Sequence, residues 1–187
     1  MTHSALDPRE TLLVVVDVQE KLAPAMPPAM MTDLARAATI LLEAARLLGV
    51  RVLATEQYPQ GLGPTLGPIA ERLAAMNVSP IAKLSFSACS EPSFLRAVHA
   101  PRPRAAVVIG METHICVYQT ARDLALLGID VHVPRDGVAS RRDDHRDAGL
   151  DLCRSAGAVI TTAETVAFDW LGKASGDAFK AVSRLVR

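Results

Sequence analysis

Six short runs of apolar, β-favouring residues alternate along the chain with longer stretches whose apolar positions recur every three or four residues. The first run, TLLVVV from Thr11 to Val16, has no polar interruption. That pattern suits a central strand buried on both faces, as in a parallel sheet. Over residues 33–48, Leu34, Ala37, Ala38, Leu41, Leu42, Ala45 and Leu48 fall on one helical face, with Asp33 as N-cap and Gly49 as stop. Further strands are expected over residues 50–54, 80–84, 105–109, 129–133 and 158–162. Helices are expected over 69–76, 93–99, 117–127 and 140–156. A last helix follows Ala163 and carries Phe168, Trp170, Phe179 and Leu185. Strands alternating with helices predict an α/β fold. The expected form is a three-layer αβα sandwich around a six-stranded, mainly parallel, Rossmann-like sheet. Residues 1–10 read as a polar lead-in with a turn at Asp7-Pro8, and residues 23–31, with three prolines, as a loop.

The totals narrow the class. The chain has 187 residues, half of them hydrophobic, enough for one domain over residues 1–187 with a full core. Twenty basic and twenty acidic residues balance, so no basic excess points to nucleic acid or an anionic membrane. Three cysteines without paired spacing support neither a disulfide framework nor a zinc pattern and fit a reducing cytosol. The start, MTHSALDPRE, lacks a cationic run followed by an apolar one, so no signal peptide is expected, and no apolar stretch is long enough to span a membrane. A cytoplasmic protein is the expectation. The glycines of the loop over residues 55–68 do not match a dinucleotide fingerprint, and no phosphate-binding loop occurs.

Three chemistry-bearing residues fall at strand ends. Asp17 follows the first run, Lys83 sits in the third, and Cys116 lies shortly after the fourth, near the expected first turn of a helix. A helix N-terminus favours a thiolate, so Cys116 is expected to titrate below the ordinary value of about 8.5. Each also has a plain structural reading: a helix cap, a solvated edge lysine, a buried cysteine. Together they make a nucleophile, a base and a cation at one edge of a parallel sheet, the logic of a catalytic triad.

The motifs LLVVVDVQEKL (residues 12–22), AKLSFSAC (82–89), IGMETHICVYQTARDL (109–124) and VHVPRDGVASR (131–141) resemble those of the isochorismatase-like cysteine hydrolases, and the resemblance spans nearly the whole chain. It is strongest to the branch of isochorismatase domain-containing proteins. The resemblance implies a catalytic triad of Asp17, Lys83 and Cys116, and a cis peptide at Met111–Glu112. That peptide would turn the Glu112 N–H toward an oxyanion hole shared with the Cys116 N–H. It further implies hydrolysis of a small amide or related acyl substrate without a cofactor, and a homo-oligomer, dimeric or larger. The metal-binding histidines of nicotinamidases have no counterpart in TEQYP (55–59), so no metal is expected. Gln57, Tyr58, Phe86 and His114 are the expected substrate contacts. Gln19 is expected to help hold the loop beside Asp17. The alternative is a non-catalytic interaction module in which Cys116 serves as a redox-sensitive thiol.

Overall fold

The computed structural model describes residues 5–187, so the first four residues of the polar lead-in lie outside it. The turn at Asp7-Pro8 is present, closed by the Glu10 N–H on the Asp7 carbonyl at 3.1 Å. The first apolar run is β1 (Thr11–Val16), and every residue of it is buried. The other strands are β2 (Arg51–Gln57), β3 (Ile81–Lys83), β4 (Ala105–Met111), β5 (Asp130–Pro134), β6 (Val138–Ala139) and β7 (Val159–Thr161). They form one sheet in the order β3-β2-β1-β4-β5-β7, with β6 paired to β4. Every strand pairing is parallel.

The sheet therefore has seven strands rather than six. The extra one, β6, is two residues long and follows a single 3-10 turn (Arg135–Gly137), too short to leave a periodic signature. The helices are α1 (Pro28–Leu48), α2 (Pro59–Leu62), α3 (Gly67–Ala75), α4 (Pro92–Val98), α5 (Tyr118–Leu126), α6 (Asp143–Ser155), α7 (Ala163–Leu171) and α8 (Gly176–Leu185). Helix α1 begins five residues before the expected Asp33, because Pro28 is accepted at its first position. The single last helix is two. Gly172, left-handed at φ 65°, ends α7 before α8 begins.

Alternation along the strands divides the core. Leu13, Val15, Val107 and Ile109 face one layer with α1, α7 and α8, and Trp170 is buried there. Leu12, Val14, Val16, Ala106 and Val108 face the other, with α4, α5 and α6. All the strands point the same way, so their carboxyl ends share one rim. There Gly110 is required. It sits at φ 129°, and a Cβ on it would stand 1.9 Å from the Val16 carbonyl oxygen. Only glycine lets β4 approach β1 so closely beneath Asp17.

Candidate active site

The rim brings Asp17, Lys83 and Cys116 together. Asp17 ends β1 in a left-handed conformation, φ 52°, which aspartate tolerates better than most residues. Its N–H donates to the Thr55 carbonyl at 3.1 Å. The Thr55 hydroxyl donates to its Oδ1 at 2.7 Å. Lys83, the last residue of β3, places Nζ 2.6 Å from Asp17 Oδ2, and neither side chain is exposed to solvent. A buried lysine charge needs such a partner. The ammonium also donates to Gln57 Oε1 at 2.7 Å and to the Ser85 and Phe86 carbonyls at 3.1 Å each.

Cys116 is buried and lies within interaction range of both charges. The expectation of a low thiolate pKa does not hold. Burial, followed by the Asp17 charge, pushes the thiol up to about 12, while Lys83 pulls the other way. Nor does Cys116 sit on a regular helical turn. A π-type turn spans Thr113–Val117, with the Ile115 and Val117 N–H groups both on the Glu112 carbonyl, and α5 starts only after it. Such turns recur at functional sites. Desolvation thus outweighs the favourable end of a helix, and at rest Cys116 is a neutral thiol beside a carboxylate.

The Met111–Glu112 peptide bond is cis. The Glu112 side chain is buried, and its Oε2 accepts from the Arg141 N–H at 3.1 Å and Nε at 3.0 Å. The Thr113 N–H donates to Ser140 Oγ at 3.1 Å. Helix α6 presses on this turn at Gly149, where a Cβ would meet the His114 nitrogen at 2.6 Å. His114 Nδ1 is 3.1 Å from Ser140 Oγ, and its ring lies 4.6 Å from that of His145. Burial lowers its pKa, which favours the neutral imidazole. Ser140 and Arg141 carry no separate signal in the sequence beyond lying at the end of the fourth motif.

The remaining expected contacts divide. The Gln57 amide is turned inward, accepting from Lys83 and donating to the Leu84 carbonyl at 2.7 Å. The Tyr58 ring is half exposed and lies over Gly61, where a Cβ would be 2.2 Å from it. Phe86 offers its carbonyl to Lys83 and is, like Tyr58, about half exposed. A hollow of about 310 Å³ opens along Lys83, lined by Pro59, Gln60, Ala82, Leu84 and Glu91. Gln19, fully buried, ties Gln57 to Gly63. Among the described residues no three histidine, cysteine or acidic side chains are grouped to hold a metal ion, and no helix is long and apolar enough to cross a membrane.

A parallel α/β sheet carrying a buried thiol, carboxylate and ammonium on its carboxyl rim defines the class. The isochorismatase domain profile matches residues 11–165, and the chain belongs to the isochorismatase-like hydrolase family. Isochorismatase domain-containing protein 2 of Bos taurus is 35% identical over 181 residues, covering 96% of this chain and 84% of that protein. The structure of MAR1 ribonuclease from Caenorhabditis elegans superposes with a TM-score of 0.90 at 33% identity, covering 98% of this chain and 92% of that one. The YcaC gene product of Escherichia coli, described as an octameric hydrolase of unknown specificity, shares the fold at a TM-score of 0.91 and 20% identity, covering 99% of this chain and 92% of that one.

Proposed function

We propose that this chain hydrolyses a small amide, or a related acyl compound, through a covalent thioester on Cys116. The observation that carries the reading is the fully buried Asp17–Lys83 pair, 2.6 Å apart, facing a neutral thiol. Asp17 takes the thiol proton as sulfur attacks the carbonyl carbon, and the C–S bond forms. The developing oxyanion is received by the Glu112 and Cys116 N–H groups. Asp17 returns the proton to the leaving nitrogen, and the C–N bond breaks. Water then attacks the thioester with Asp17 again as base. The acid leaves and the thiol is restored. Lys83 places its positive charge beside Asp17 and offsets the negative charge that develops on sulfur.

The Caenorhabditis elegans relative is named a ribonuclease, and a phosphodiester substrate requires cations free to meet phosphate. Here Lys83, Arg141 and Arg142 are each engaged by a carboxylate, Asp17, Glu112 and Asp144 respectively. That favours an uncharged acyl carbon over an RNA backbone. Three free, buried cysteines support a reducing, cytoplasmic setting. The octameric Escherichia coli structure supports a homo-oligomer, which sedimentation of this chain tests.

The test is a panel of small amides and esters, with single-stranded RNA alongside, assayed for amine or alcohol release. Turnover is expected on an amide, with the acyl adduct found on Cys116 by peptide mass spectrometry and activity lost in Cys116→Ala. Retained activity in that variant, or cleavage of RNA alone, removes the reading.

A further inference from the structure

Gln57 is committed at both its backbone and its side chain. Its N–H donates to Gln19 Oε1 at 2.8 Å, and its carbonyl accepts from Gln19 Nε2 at 3.0 Å. This is a two-bond clamp such as neighbouring strands make. The Gln19 amide is fully buried and is itself fixed by the Gly63 carbonyl at 2.7 Å. From this anchored backbone the Gln57 side chain reaches two groups, Lys83 Nζ through Oε1 and the Leu84 carbonyl through Nε2, each at 2.7 Å. Only one orientation of the amide satisfies both. Turned over, its NH₂ would face the ammonium and its oxygen would face a carbonyl.

An ammonium has three protons. Gln57 Oε1 and the Ser85 and Phe86 carbonyls supply three acceptors for them. Asp17 Oδ2 stands 2.6 Å from the same ammonium as its counter-charge.

We propose that Gln57 is a positioning residue of this site: it fixes the Lys83 ammonium against Asp17 and Cys116, and its neutral amide leaves that charge undivided. Gln57 is therefore turned inward to the lysine rather than outward as the substrate contact expected from the sequence. Its importance for turnover rests on the hydrolase reading. Its effect on the thiol does not. The charged groups acting on Cys116 are Asp17 from the end of β1 and Lys83 from the end of β3. Glu112, on the adjoining turn, is paired with Arg141 from the loop before α6, and burial favours neutral His114.

The experiment is alkylation of Cys116 by iodoacetamide between pH 7 and 10, followed by peptide mass spectrometry, in the wild type, Gln57→Glu and Gln57→Met. A carboxylate at position 57 divides the lysine charge, so less thiolate forms and the rate constant falls about fivefold at each pH. Methionine removes the acceptor and lowers the rate about twofold, which keeps the test available where Gln57→Glu fails to fold. An unchanged alkylation rate with a raised KM makes Gln57 a substrate contact and overturns the proposal. A faster rate with a lowered melting temperature makes it a structural tie that merely keeps the site closed, and also overturns it. Slower alkylation in a protein that turns over no amide upholds the positioning role while removing the hydrolase reading.

Discussion

Cys116 and Cys153 are the same group in the same apolar layer, both buried, both pushed up to about 12. Around Cys153 the only cause is burial. Around Cys116 burial is joined by a carboxylate that raises the thiol further and an ammonium that opposes it. At rest the two thiols are almost equally inert. What separates them is the paired carboxylate and ammonium beside Cys116, which the proposed mechanism uses as proton acceptor and counter-charge. Under the proposed mechanism it is these partners, rather than resting acidity, that would make Cys116 the nucleophile.

The largest expected effect tests that difference at its source. Asp17→Asn removes the proton acceptor while keeping the shape and the tolerance for a left-handed backbone. Turnover of an amide substrate falls about a thousandfold, the scale of a lost general base. Alkylation of Cys116 at pH 8 moves the other way and speeds up, because the carboxylate that raises the thiol is gone. Measured together, the two rates diverge. If both fall, Asp17 is a structural support and the contrast with Cys153 loses its chemical content.

A smaller effect is expected in stability. Lys83→Met leaves the Asp17 carboxylate buried without its counter-charge, a change that costs about 3–5 kcal/mol. For a chain of this length that lowers the melting temperature by roughly 10 °C. The double variant Asp17→Asn/Lys83→Met removes both charges and regains most of the loss, since a neutral buried pair has no uncompensated charge. Equal melting temperatures for the wild type and Lys83→Met would mean that the 2.6 Å pair is not carrying charge in the folded protein.

The sequence distinguishes these two regions only as far as each rests on local pattern. The strands were legible because runs such as TLLVVV are buried on both faces and show it in every residue. In a parallel sheet Asp17, Lys83 and the segment leading to Cys116 share a rim. Strand β6 and the break at Gly172 were not legible, since two residues form no period and one glycine within a helical pattern is ambiguous. The acidity of Cys116 departs from the sequence expectation for a physical reason. Sequence shows the approach of a helix, but burial is set by α6 and the strand ends closing over the turn. Gln57 falls in the loop expected after the second strand and reads as a substrate contact, yet its orientation depends on Gln19, 38 residues earlier. The role of Arg141 likewise depends on a pairing across 29 residues.

The smallest expected effect uses what the two thiols share. Cys89 also lies in this layer, raised to about 12 chiefly by burial. In the unfolded chain each thiol titrates near 8.5. As pH rises past that value the unfolded state loses its protons first, and in the folded state these thiols stay protonated until about 12. Their contribution to stability is thus complete below about pH 8.5 and declines between there and about 12. Cys153→Ala removes one of three such groups. Its melting temperature starts lower at neutral pH because a buried atom is lost, and then falls less steeply than the wild type as pH rises from 8.5 to 11. The difference amounts to about a third of the thiol-linked slope. Amide turnover at neutral pH is unchanged, because nothing acts on Cys153 but its burial. Melting curves for the two proteins that run parallel over that pH range would show that Cys153 ionises as freely folded as unfolded. Burial alone would then not be what keeps these thiols protonated, and the high resting pKa of Cys116 would have to come from Asp17 instead.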